Sequence, residues 1–246
     1  MNGLLLHLSG PQQSWGNDAD FDVRTTHRWP TRSALTGLLA CALGRPRDSD
    51  NSDLAELGYT IRIDRPGQRE MDFHTIGGGY ARHLTPPTAD GKFKKLGEGT
   101  ILTERWYLTD AAFTVAVTGP PSVTHICGAA LQRPKFGLSL GRRSCTPDTP
   151  ILLRADVPDA VGELDRLPLH RLPSRDVPEP VTFIYDTAPE PGAKPDTEVR
   201  DRPGPRRTFT RRPVWQRERL LPHAREAGRG TQWIDELTAY REVAAA

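Results

Sequence analysis

Cysteine is scarce in this sequence. The three that occur, Cys41, Cys127 and Cys145, are widely spaced and form no C-x-x-C pair, which argues against a disulfide framework and against a zinc knuckle. They are expected as reduced, buried thiols. Long apolar runs are also missing: the longest, residues 34–43, is broken by Thr36 and Gly37 and falls short of the roughly 20 residues a bilayer crossing needs. Residues 1–8 have no basic segment ahead of their apolar run and no small-residue cleavage site after it, so no secretory leader is expected and the chain is read as cytoplasmic, with no membrane partner. Net charge is only +2 at pH 7, too little to send the whole molecule to a polyanion. Neither H-E-x-x-H nor G-x-S-x-G occurs, and Gly77-Gly78-Gly79 is not followed by the G-K-[ST] of a phosphate loop. Metal hydrolysis, serine chemistry and nucleotide binding therefore lack support, and no metal or cofactor is expected.

What is present is a chain of 246 residues, long enough for one generous domain with a substantial core. Residues 2–8 are apolar and stop at Ser9-Gly10-Pro11, which predicts a buried strand and then a loop running to about Pro30. Thr31 or Ser33 can cap a helix in which Leu35, Leu38, Leu39 and Leu43 recur at helical spacing before Gly44 and Pro46. Alternation predicts strands over 59–63 and 111–117, residues 123–131 read as a helix, and 151–155 as a last short strand. Strand, helix, strand, strand, helix, strand is the ferredoxin-like α+β order, whose sheet is also the platform of RNA-recognition modules. That fold hosts many functions and does not choose among them.

This domain is expected to span residues 1–157. Residues 72–105 are too long for an ordinary hairpin loop and make a candidate functional arm. Residues 158–246 read as a C-terminal extension, richer in Pro, Arg and Asp. Within it residues 189–205 form an extended linker between two strands of a small sheet, 181–185 and 208–215.

Cations are unevenly placed. The loop before the first helix interleaves Arg24, Arg28 and Arg32 with His27 and Trp29; guanidinium forks match phosphate oxygens and an aromatic face stacks an unpaired base, the combination single-stranded RNA needs. A solvated charged loop is the other reading. The arm carries Arg82, His83, Lys92, Lys94 and Lys95 among glycines, a composition suited to folding around a nucleic-acid strand, or simply to a surface loop. Gly141-Arg142-Arg143-Ser144 is a basic turn whose amides and two arginines can seat a phosphate, or an ordinary exposed turn. Between Glu198 and Gly230 ten arginines face only four acidic residues, which leaves RNA contact, protein docking and solubility equally open. Of the seven histidines, His27 beside Arg24 and Arg28 is the candidate base for metal-independent RNA cleavage; a histidine that hydrogen-bonds RNA or backbone is the alternative.

Several segments resemble one known family in the same order. They are Leu6-His7-Leu8-Ser9-Gly10-Pro11-Gln12-Gln13-Ser14-Trp15-Gly16; Arg28-Trp29-Pro30-Thr31-Arg32-Ser33-Ala34-Leu35 with Gly37-Leu38-Leu39; Asp72-Phe73-His74-Thr75; Arg105-Trp106-Tyr107-Leu108 with the strand that follows; and Leu140-Gly141-Arg142-Arg143-Ser144-Cys145. The chain is similar in these to CasD-type subunits of the type I-E CRISPR Cascade complex, in the fifth Cas protein family of the RAMP superfamily, over roughly its first 155 residues. The resemblance implies a ferredoxin-like RAMP fold with a long thumb at about residues 72–107, and a noncatalytic subunit that holds the 5′ handle of crRNA. It also implies that His74 and Arg105, at the two ends of the thumb, join the RNA-binding set. The implied neighbours are the backbone subunit and the large PAM-reading subunit, with target DNA met only indirectly. A related branch, in type I-C systems, cuts precursor RNA, so a metal-independent endoribonuclease is the alternative function, and a pure assembly adaptor a third.

Overall fold

The computed structural model describes residues 3–20, 22–77, 81–85, 87–88, 90–93, 99–173, 179–203, 208–221 and 226–245. Gly78, Gly79, Lys94, Lys95, Arg206 and Arg207 lie outside them. The chain opens with β1 (Gly3–Ser9), buried at every residue. Three short strands follow, β2 (Gln12–Gln13), β3 (Gly16–Asp20) and β4 (Val23–Thr26), where the sequence predicts only a loop. Two- to five-residue strands carry too few alternations to be read from period alone. Helix α1 (Arg32–Ala42) starts at Thr31, whose hydroxyl accepts from the amide of Ala34. Next come β5 (Gly58–Arg65), β6 (Gln68–Ile76), β7 (Ile101–Thr109), β8 (Ala112–Thr118), α2 (Pro121–Gln132), β9 (Leu152–Val157), α3 (Ala160–Glu163), β10 (Val181–Tyr185), β11 (Thr197–Pro203), β12 (Phe209–Arg219) and α4 (Thr231–Ala245). No helix among the described residues is long and apolar enough to cross a membrane.

The first sheet has seven strands in the order β11-β12-β10-β5-β8-β1-β9. Within it β5-β8-β1-β9, all antiparallel, with α1 and α2 as the two crossovers, is the split βαβ arrangement read from the sequence. The C-terminal strands do not build a small sheet of their own. β10 pairs with β5, and β12 with β10, so they extend the first sheet. The expected linker contains β11, paired along its length with β12. Its Pro and Arg content disguised a strand because Val199 and Asp201 alone turn inward. Five strands form a second sheet: β2-β7-β4-β3, with β6 on the other side of β7.

β1 is buried on both faces because both are covered. Leu4, Leu6 and Leu8 pack with Leu35, Leu38 and Leu39 of α1 and Cys127 and Leu131 of α2. Leu5, on the opposite face, packs with Ala160, Leu164, Leu167, Leu169 and Trp233. The sheet face that RNA-recognition modules leave open is therefore closed here, by residues 160–170 and α4.

A buried polar network holds this second layer on. Arg62 of β5, fully buried, makes a fork to Asp64 and donates to the carbonyls of Leu164, Leu167 and Pro168, satisfying backbone groups left over after the single turn of α3. Asp64 also accepts from the Thr114 hydroxyl at 2.9 Å and the His170 amide at 3.2 Å. His7 places one ring nitrogen 2.9 Å from His170 Nδ1 and the other 3.4 Å from Thr114 Oγ1, and both imidazoles stack on Trp233. A single set of protons completes the chain: His170 donates to His7, His7 to Thr114, and Thr114 to Asp64. Both histidines are neutral in this arrangement, and a further proton would put a charge in a buried site beside the Arg62 guanidinium.

Burial accordingly lowers His7 to about 3 and His170 to about 4. The unfolded chain takes up protons below about 6.5 and the folded chain does not, so this stability is present above that pH and drains away as pH falls toward 4. Denaturant unfolding is expected to lose up to about 1.4 kcal/mol per pH unit for each histidine between pH 6.5 and pH 4, and His7→Gln is expected to lessen the slope. An unfolding midpoint that stays constant from pH 7 to pH 5 would contradict the network.

Candidate nucleic-acid interface

The second sheet is fastened to the first by the segment between β1 and β4. The Gln13 side chain is buried; its amide donates to the carbonyls of Leu8 at 3.2 Å and Ala111 at 2.8 Å and accepts from the Trp15 indole at 3.1 Å. Trp15 is buried edge-on to Phe113. Its amide donates to Thr26 Oγ1, and its carbonyl accepts from the amide of His27 at 2.7 Å. The basic loop thus begins at a fixed point, His27, and ends at another, the Thr31 cap of α1.

The turn after α2 docks on the same segment. The Ser14 amide donates to the carbonyl of Leu140, and Gly141 has φ +94, with Ser14 O only 1.7 Å from where a Cβ would stand. A left-handed backbone in such a space admits only glycine. The turn delivers Arg142 across the seam between strands: its guanidinium donates to the carbonyls of Trp106 at 3.1 Å and Arg24 at 2.9 Å and lies 4.6 Å over the Tyr107 ring. Arg142 is half-buried and spent on this work. Its neighbour Arg143 is exposed.

Register decides which side chains share a face. β4 runs parallel to β7 with Arg24 opposite Arg105, while β6 sets Asp72 opposite Arg105 and His74 opposite Thr103. One face of the second sheet therefore gathers Arg24, Arg105, His74, Asp72 and, through Tyr107, Arg142. Arg24 is exposed and Arg105 half-buried, with its Nε held by Thr103 Oγ1 at 3.2 Å. His74 is partly exposed, 3.9 Å from Asp72. In the loop Arg28 is exposed, His27 lies 5.0 Å from Trp29 ring to ring, and Trp29 packs on the first core with its indole N–H buried and unpartnered. Arg82 opens a 3-10 turn, Arg82–Leu84, in the arm, and Lys92 is exposed. Lys94 and Lys95 fall outside the described residues. No three His, Cys, Asp or Glu side chains converge among those described.

Arg32 is a correction. The sequence groups it with Arg24 and Arg28 as a phosphate contact, but its guanidinium is buried, ion-paired to Asp186 and donating to the carbonyls of Ala55 and Leu57 at 2.8 and 2.6 Å. Its amide donates to Asp201 at 2.6 Å. Three of its N–H groups are committed to these partners, and burial keeps the side chain from a ligand. Its carboxylate partners lie more than 150 residues away, and no local pattern connects them. In the turn, Arg142 braces two backbone carbonyls while staying half-exposed. The opposite face of the thumb was missed: Arg69 sits 5.1 Å over Trp106, beside exposed Met71, Phe73 and Leu102. The alternation of Met71 and Phe73 with charged residues is its signal in the sequence.

With this geometry in place, the kinship of the chain is clear. Residues 3–219 match the family described as CRISPR-associated protein (Cas_Cas5), and the chain belongs to that family. It is 38% identical over 167 residues to the CRISPR system Cascade subunit CasD of Escherichia coli (strain K12), covering 61% of this chain and 69% of that relative. A chain of a CRISPR RNA-guided surveillance complex superposes with a TM-score of 0.86 at 39% identity, covering 98% of this chain and 99% of the other. A second Cas protein crystal structure gives 0.63 at 30% identity, covering 91% and 98%. The likeness extends well past residue 155, since the family match runs to residue 219 and takes in β10 to β12.

The two turn arginines are expected to separate by stability. Arg142→Lys keeps the charge but loses the fork to two carbonyls, and should cost roughly 1–3 kcal/mol in denaturant unfolding, whereas Arg143→Lys should change it by less than about 0.5 kcal/mol. Equal effects in the two variants would refute the bracing role.

Proposed function

We propose that this chain is a subunit of a type I-E CRISPR RNA-guided surveillance complex, holding the 5′ handle of crRNA and capping the backbone of the complex without cutting RNA. The observation that carries the reading is a set of cations on a rigid frame: exposed Arg24 and half-buried Arg105 side by side on paired strands, exposed Arg28 in the loop pinned at His27 and Thr31, and exposed Arg143 on the turn docked against Ser14. Arginines carried on a fixed backbone meet phosphates without the cost of ordering the chain that bears them. Trp29 and His27 supply rings on which an unpaired base can stack. The likeness to the Cascade subunit and to the surveillance-complex chain supports membership of such an assembly. The backbone subunit and the large PAM-reading subunit are then its neighbours, and the arm, with Lys92, closes on the RNA.

A cutting enzyme needs a base, an acid and phosphorane stabilisation in one place. The His74 and Asp72 side chains beside Arg105 come nearest to that among the described residues, but they are 3.9 Å apart and open to solvent, without the burial that tunes a catalytic pair.

Competition of authentic and scrambled handle RNA for the assembled complex tests the reading. Authentic handle should win, and Arg24→Ala, Arg28→Ala and Arg143→Ala should each weaken binding by about tenfold for a strong contact and flatten its salt dependence. Equal affinity for both RNAs would sink the handle assignment. Discrete cleavage of repeat RNA in EDTA, abolished by His74→Ala or His27→Ala, would replace it with the endoribonuclease.

A further inference from the structure

The arginines of the C-terminal third divide by what they touch. Arg171 pairs with Glu226 at 2.6 Å, Arg212 with Asp201 at 2.7 Å, Arg217 with Asp196 at 3.0 Å and Arg229 with Asp110 at 2.8 Å. Arg219 pairs with Asp165. Among the described arginines between Glu198 and Gly230 three are left, all on the β11–β12 hairpin. Arg200 offers its Nε to the carbonyl of Phe209 at 3.1 Å, and Arg202 has no carboxylate partner among the described residues. Arg211 is 75% exposed and reaches Glu198 only at 3.9 Å.

Two further observations set this hairpin apart from an ordinary solvated face. Arg200 stands directly opposite Arg211. Like charges in that position destabilise a strand pair, so solubility or edge protection would be served better by almost any other pairing. The hairpin is also rigidly placed. Val199 and Val214 lie in the first core, and Asp201, between Arg200 and Arg202, accepts from the Arg32 amide at 2.6 Å while holding Arg212. That anchor is the first residue of α1, four residues after the exposed Arg28.

We infer that the solvent face of the β11–β12 hairpin is a second phosphate-backbone contact for single-stranded RNA, made by Arg200, Arg202 and Arg211. The inference rests on the RNA-holding reading above and continues the strand's path from the loop before α1. Its chemistry is guanidinium on phosphodiester with no base edge read, so the contact is insensitive to sequence and sensitive to salt. RNA bound there also relieves the repulsion between Arg200 and Arg211.

The test uses the full chain carrying R200Q/R202Q/R211Q, with R28Q alongside. Binding of a labelled single-stranded RNA that extends beyond the handle, and of a duplex DNA of equal length, is measured across a salt series. The triple variant should melt no lower than the parent, lose about tenfold in RNA affinity at low salt, and show a salt slope shallower by about 2, three contacts at roughly 0.7 each. The loss should be the same for authentic and scrambled RNA, and the corresponding triple lysine variant should recover most of it. An unchanged triple variant beside a weakened R28Q would overturn the hairpin contact and leave the handle reading standing. A weakened triple variant beside an unchanged R28Q would do the reverse. A loss confined to duplex DNA would overturn the assignment to RNA.

Discussion

The guanidinium of Arg32, in the first turn of α1, grips Asp186 just past β10 and the carbonyls of Ala55 and Leu57 before β5, while its amide donates to Asp201 of β11. One residue thus joins the first crossover helix, the strand it leads to, and two strands from the far end of the chain. Burial pushes the Asp186 carboxyl above its usual range, with Arg32 pulling it back. Deleting one member of such a buried pair typically costs about 3–5 kcal/mol, because the survivor is left charged and unpaired. The seven-stranded sheet is continuous through this knot, and the basic loop inherits a fixed end from it.

Covering both faces of β1 has a functional consequence. The seal of Arg62, Asp64, His7, His170 and Trp233 occupies the face on which a ferredoxin-like module would lay out RNA. The open cationic surface has moved to the second sheet and the loop that feeds α1. There Gln13 and Arg142 donate to backbone carbonyls and the Trp15 indole to Gln13, while Arg24, Arg28, Arg105 and Arg143 keep their guanidinium groups toward solvent or half so. The structure separates arginines that build the surface from those that present it.

How much of this could be read beforehand depended on range. The strands and helices of the split βαβ core were legible because their apolar periods run for five or more residues, and the cap at Thr31 because it is a local hydrogen bond. Strand β11 was not, since four of the seven residues in Thr-Glu-Val-Arg-Asp-Arg-Pro are charged and its two inward residues include an aspartate paired with Arg212. Strands β2 to β4 were hidden by their length, two to five residues. Arg24, Arg28 and Arg143 were found as exposed cations; Arg32 and Arg142 looked identical to them in sequence, because what distinguishes them is a carboxylate or carbonyl brought close only by the fold.

The division of Arg32 from Arg28 is therefore the claim to test most directly. Arg32→Gln and Arg28→Gln should be compared by denaturant unfolding and by the salt dependence of RNA binding. Arg32→Gln is expected to lose several kcal/mol of stability and, where it stays folded, to keep the parent's salt slope, whereas Arg28→Gln should keep the stability and flatten the slope. A stable Arg32→Gln chain whose binding has become less sensitive to salt would contradict the account.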